Sequence, residues 1–253
     1  MLPQTKKTTP RRLGKEPLLE AVWELRFQST AETAENLLSG IIYDHMRNRF
    51  NPPVRLPAAD IPLAARMQQP ILNYTPMFRS SGIEENACYD IQVGPRAIAL
   101  NCRRPYAGWE KFKPEIMNLV EVVRPTGLIE AIERFSLKYV NLIPACAPDY
   151  LSPLKGSFMV ANHNLGLSPL QVRSQIATGE FIQVITLLAP AQVQTGSTTA
   201  EGLLMDIDTI FPAPSGPFWN GFEPRLGAAH DSNHELFFDI LKPETIALLE
   251  PTI

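Results

Sequence analysis

Two short patterns in the second half of the chain carry residue types able to do chemistry. Asp206 and Asp208 lie two apart in a strand-like stretch around Leu203 to Ile207, so both carboxylates project from one face and could share a divalent cation. His230 and His234 stand four apart with Asp231 beside the first, and the string HDSNH invites comparison with the zinc-protease pattern HExxH. That comparison is chemically weak. Asp is a methylene shorter than the Glu that has to reach a metal-bound water, no third ligand follows, and His230 falls on the apolar stripe of Leu226, Phe237 and Leu241. His230 is therefore expected to be largely buried and hydrogen-bonded, and no metal or cofactor is assigned.

A third cluster suits phosphate. Arg96, Arg103, Arg104, Lys111 and Lys113, interleaved with Tyr106 and Trp109, form the densest cationic and aromatic stretch of the chain. Nucleic acid wants that mixture, although a core Trp109 and Phe112 under a cationic surface would look the same. No Walker loop, GxGxxG turn or GxSxG elbow is present, so the nucleotide-binding and hydrolase classes that use them find no motif. Cys88, Cys102 and Cys146 make no CxxC pair and read as reduced thiols.

These residues must be positioned by secondary structure, and the hydrophobic period indicates which. Leu19, Ala21, Trp23, Leu25 and Phe27 alternate with polar or charged neighbours as in a half-buried strand. Ser29 and Glu32 form a capping-box pattern ahead of Leu38, Ile41, Ile42, Met46 and Phe50, which predicts a helix over 31–50, with Gly40 packed closely against a neighbour. Residues 51–71 read as an irregular connection. Strand signals resume near Tyr74, and the segments 89–93 and 97–102 flank Gly94-Pro95 as a hairpin. A helical stripe from Phe112 to Val123 and a long strand over 132–143 follow. The remainder predicts strands at 158–167, 181–188 and 203–207, a helix over 222–241 and a terminal turn after Pro243.

The two halves share anchors in the same order. Leu25-Arg26-Phe27 stands beside Leu137-Lys138-Tyr139, Ile91-Gln92-Val93 beside Ile182-Gln183-Val184, and Trp109-x-x-Phe112-x-Pro114 beside Trp219-x-x-Phe222-x-Pro224. The unequal spacing requires a long loop around 189–202 in the second copy. The expected fold is α+β, with two related halves, each an antiparallel sheet packed by a long helix, able to join as one continuous sheet. The boundaries are a basic flexible arm over 1–16, a first half over 17–128 and a second over 129–253.

Charge is unevenly spread. Residues 1–138 carry 19 Lys and Arg against 15 Asp and Glu, whereas residues 139–253 carry 4 against 11. The basic N-terminus lacks the apolar run of a secretory signal, and no apolar stretch approaches membrane-spanning length, so a cytoplasmic protein without a membrane partner is expected.

The segments PLLEAVWELRF, GIIYDHMRNRF, IQVGPRAIALNCRRPYAGWEKFKPEI, FSLKYVNLI, LLMDID and LGAAHDSNHELFF, taken in order, resemble a sporadically distributed prokaryotic family of uncharacterised proteins of about this length. The Gln92-Val93-Gly94-Pro95 turn leading through Pro105-Tyr106 to Gly108-Trp109 and Phe112 is its most specific part. The resemblance implies no activity, and its patchy distribution implies a setting in prokaryotic defence or mobile elements. The expected function is a non-catalytic binding or regulatory protein with a protein partner, nucleic acid or a second copy of the chain being further partners. The alternative is a metal-dependent phosphodiesterase or nuclease using Asp206, Asp208 and His230.

Overall fold

The computed structural model describes residues 10, 12–29, 31–145, 147–195, 198–213 and 218–252. In chain order they form β1 (Arg12–Leu13), β2 (Leu18–Gln28), α1 (Ala34–Met46), β3 (Val54–Arg55), α2 (Leu63–Met67), β4 (Phe78–Ser81), β5 (Tyr89–Gly94), β6 (Ala97–Arg103) and α3 (Trp109–Val123). The second half adds β7 (Ala131–Pro144), β8 (Met159–Val160), β9 (His163–Asn164), β10 (Leu170–Thr178), β11 (Phe181–Thr195), β12 (Thr198–Pro212), α4 (Phe222–Ile240), α5 (Pro243–Leu248) and β13 (Pro251–Thr252).

Nine strands make one antiparallel sheet in the order β10-β11-β12-β7-β2-β6-β5-β4-β3. The central seam is β2 against β7, where Trp23 faces Leu137 and Leu25 faces Phe135. Alternation then assigns the faces. Ala21, Trp23, Leu25 and Phe27 are buried, as are Phe135, Leu137 and Tyr139, and they share a core with Phe112, Ile116 and Leu119 of α3, Leu38 and Ile42 of α1, and Phe222, Leu226 and Ala229 of α4. A second cluster joins Leu203, Met205 and Ile207 of β12 to Phe237, Phe238 and Leu241 at the far end of α4. The long helices α1, α3 and α4 thus lie on one face of the sheet, and among the described residues no long helix packs on the other, the open face. Both α3 and α4 are preceded by a glycine with positive φ, Gly108 at 87° and Gly221 at 80°, where a side chain would be strained.

The architecture is α+β, and the two sheets expected are joined into one through the β2–β7 seam. The connectivity repeats: β2-β6-β5-β4 and β7-β12-β11-β10 are laid down in the same order, each followed by a long helix. One anchor is out of register, however. Ile91 is buried on the core face, while Ile182, its counterpart by sequence, is 36% exposed and Gln183 takes the buried position, so this anchor does not match the two halves.

Other expectations are corrected in detail. The first helix ends at Met46, and Phe50 instead bridges to Gly82. Gly40 is exposed, and a Cβ at this position would meet nothing within 4 Å, so it does not mark close packing. The strand expected at 158–167 is a two-residue ribbon and a single helical turn, and the real strand is β10, at 170–178. The loop expected at 189–202 is an extension of the β11–β12 hairpin beyond the sheet, with a register shift between Leu188 and Ala191 that bends it. Of the expected flexible arm, residues 12–13 pair with Pro251–Thr252 and Lys15 binds Glu250 at 2.8 Å, and residues 1–9 and 11 lie outside the described residues.

Candidate functional site

Asp206 and Asp208 do share a face, as their spacing predicts, but it is the open face, because Met205, Ile207 and Thr209 take the core positions. His230 and Asp231 lie on α4, which packs on the other side. The sheet therefore stands between the two carboxylates and the histidine, and the site expected of a metal-dependent phosphodiesterase or nuclease is not assembled. Among the described residues no group of three or more His, Cys, Asp or Glu side chains is placed to hold a metal ion.

The surroundings of His230 are aromatic. Its ring stacks on Trp109 with centroids 4.1 Å apart and planes 6° from parallel, and its Nδ1 is hydrogen-bonded to the Tyr139 hydroxyl at 3.0 Å. That hydroxyl lies 3.4 Å from the hydroxyl of Tyr106. Burial, with a smaller contribution from His234, pushes the imidazole pKa down to about 4, so it is neutral near pH 7. Burial likewise pushes both phenols up, Tyr106 and Tyr139 alike. A neutral imidazole stacked and hydrogen-bonded in this way ties α4 to α3 and β7. Asp231, one residue on, is exposed on the solvent side of the helix.

The cationic cluster is dispersed by the fold. Arg96 sits in the turn before β6, and Arg103 and Arg104 at its opposite end, roughly 20 Å away at strand rise. Arg103 binds Asp90 at 2.9 Å, and Arg104 donates to the Glu16 carbonyl at 2.9 Å. Lys111 is exposed on α3, and Lys113 on the same helix binds Glu223 of α4 at 2.8 Å. The five do not form one phosphate-binding surface. Cys102 is buried beside Cys88, close enough for their thiols to interact, and burial pushes the Cys102 thiol up to about 12. Cys146 lies outside the described residues.

The open face has an order the sequence does not display, because it runs across strands and not along them. From one edge inward, β10 presents Arg173, β12 presents Asp206 and Asp208, and β7 presents Lys138 and Arg134. Beyond the seam β2 presents Glu20 and Glu24, with Arg26 at its end, then β6 Arg103 and Asn101, β5 Asp90, and β4 Arg79. Among the strands that present charge here, all but β11, the sign alternates, and the neighbours pair: Lys138 with Asp206 at 3.7 Å, Arg134 with Glu24 at 2.9 Å, Arg103 with Asp90 at 2.9 Å, and Asn101 donating to Glu20 at 3.0 Å. Arg26 also donates to Glu24 and lies over the Tyr74 ring at 4.4 Å. Burial and the nearby Asp208 push the Asp206 carboxyl up, against the pull of Lys138, and one oxygen each of Asp206 and Asp208 is buried without a partner. Ile182 and Leu188 of β11 extend this face as exposed apolar surface.

The bent hairpin reaches over one end of the face. Val193 and Gln194 line, with Leu19, Glu20, Arg103 and Arg104, a cleft of about 420 Å³. The arrangement can bind a polar surface of both signs. No family model matches the chain, and no curated protein is significantly similar to it. No helix among the described residues is long and apolar enough to cross a membrane.

Proposed function

We propose that this chain is a non-catalytic binding or regulatory protein whose open sheet face recognises a protein partner carrying both signs of charge. The observation that carries this reading is the strand-by-strand alternation of Asp206, Lys138, Arg134, Glu24, Arg103 and Asp90 beside exposed Ile182 and Leu188. Complementary ion pairs next to apolar surface suit a protein interface. A phosphate backbone would meet carboxylates in every second or third strand, which disfavours nucleic acid. The cellular setting implied by the family resemblance, prokaryotic defence or mobile elements, belongs to the same proposal, and the neighbouring genes test it.

We also infer that residues 17–128 and 129–253 descend from one duplicated unit. Support comes from the repeated connectivity, with a positive-φ glycine, Gly108 or Gly221, ahead of the long helix in each half, although the Trp109 and Trp219 anchors differ, since Trp109 opens α3 and Trp219 lies in the turn before α4.

The binding proposal is tested with a partner captured on the full chain, purified, and titrated by calorimetry against charge-reversed variants. Arg134→Glu and Lys138→Glu are expected to weaken binding about tenfold or more, since each sets like charges together, whereas Glu121→Lys on the solvent side of α3 leaves it unchanged. Equal affinity for all variants would remove the open face from the interface. Labelled DNA and RNA duplexes bound at physiological salt, with a salt slope flattened by Arg103→Ala and Arg104→Ala, would favour nucleic acid instead.

A further inference from the structure

The two edges of the nine-stranded sheet are unlike. One ends in β3, only two residues long, which is a common way to blunt an edge. The other ends in β10, nine residues of sequence LQVRSQIAT, without proline, lysine or bulge, whose outer side pairs with nothing among the described residues. An unprotected edge of this length is a template for another strand.

The register says which groups it presents. Thr178 and Phe181 close a two-residue turn at Gly179-Glu180, so Thr178 exchanges hydrogen bonds with β11, and so does every second residue before it. The main-chain groups of Gln171, Arg173, Gln175 and Ala177 consequently point outward. Their side chains lie on the open face with Arg173, while Val172, Ser174 and Ile176 lie on the helix face, and Ile176 is 45% exposed.

We propose that the chain forms a twofold dimer by pairing β10 antiparallel with β10 of a second copy, with Ser174 on the axis. Ser174 is the middle residue of the strand, so this register overlaps its whole length. It brings the outward main-chain groups of Arg173 opposite those of Gln175 and of Gln171 opposite Ala177, which is the set that can exchange hydrogen bonds. The same register sets Val172 against Ile176, covering an exposed apolar side chain, and keeps the two Arg173 guanidinium groups from facing each other. A second copy satisfies every one of these conditions because the strand is complementary to itself. The product is a continuous sheet through both molecules.

Native mass spectrometry and light scattering on the full chain are expected to show a dimer. Gln175→Pro, which deletes an outward N–H and leaves the β11 ladder intact, is expected to shift it to monomer. Because a proline variant can misfold, cysteine cross-linking provides a second measurement. Ser174 meets itself at a non-hydrogen-bonded position, where Cα atoms stand ~4.5 Å apart, within disulfide range. Ser174→Cys is expected to give a covalent dimer on oxidation, while Gln171→Cys, whose copies lie ~20 Å apart in this register, gives only the wild-type background. A monomeric wild type, a dimer indifferent to Gln175→Pro, or equal cross-linking at both positions would overturn the proposal.

Discussion

Replacing Asn233 by alanine is expected to lower the unfolding free energy by about 3 kcal/mol, the size associated with leaving buried polar partners unmet. Asn233 is buried on α4, and its Nδ2 donates to the Ile207 carbonyl and the Thr209 Oγ1, each at 2.9 Å, and to the Leu137 carbonyl at 3.3 Å. Thr209 in turn donates to Gln183 at 2.7 Å, and Gln183 donates to Ser232 at 2.7 Å. One helix is thereby fastened to β7, β12 and β11 through a polar network inside an apolar core, where the low dielectric makes an unsatisfied member costly. Asn233→Asp should be at least as damaging, because it turns a carboxylate oxygen toward two carbonyl groups. Urea unfolding of the purified variants measures both. A loss below about 1 kcal/mol for Asn233→Ala would mean that the network does not hold α4 to the sheet.

Acid is expected to destabilise the protein through His230. The folded-state pKa is lowered to about 4 from 6.5, so the unfolded chain takes up a proton at this residue before the folded one does. Stability is therefore fully present above pH 6.5, and is lost progressively as pH falls toward 4, by about 3 kcal/mol from this group. His234 is shifted down as well and adds in the same sense, with burial the main cause. Asp206 and Glu16 are shifted up by burial and act oppositely, retaining protons in the folded state. The difference between wild type and His230→Gln isolates the imidazole. Urea titrations at pH 7, 5.5 and 4.5 should show the variant losing less stability on acidification. Parallel losses in the two proteins would mean that His230 is as readily protonated folded as unfolded.

Local chemistry made several features readable without coordinates. Alternation along Leu19 to Phe27 predicted one seam strand, since an antiparallel strand with one buried face repeats every second residue, and the Phe, Tyr, Val and Ile content of 132–143 predicted the other. The same rule put Asp206 and Asp208 on one face, and the apolar stripe around Leu226 and Phe237 put His230 against the core. By contrast, β10 and the β11–β12 extension carried no such signal. Their side chains are largely exposed, and a strand without a buried face has no alternation to impose on its sequence.

What only the tertiary structure decided was which residues meet. Sequence spacing could relate Asp206 to Asp208, but their separation from His230 by the thickness of the sheet follows from which face the helices cover. Arg96 and Arg103 are near in sequence yet lie at opposite ends of β6, because an extended strand carries its ends apart. The alternating charges of the open face arise from neighbours far apart in the chain, 110 residues for Glu24 and Arg134, and from the registers that align them. Periodicity is a property of one segment facing one environment and is written locally. A binding surface is made by strand order and register, which the whole core determines together.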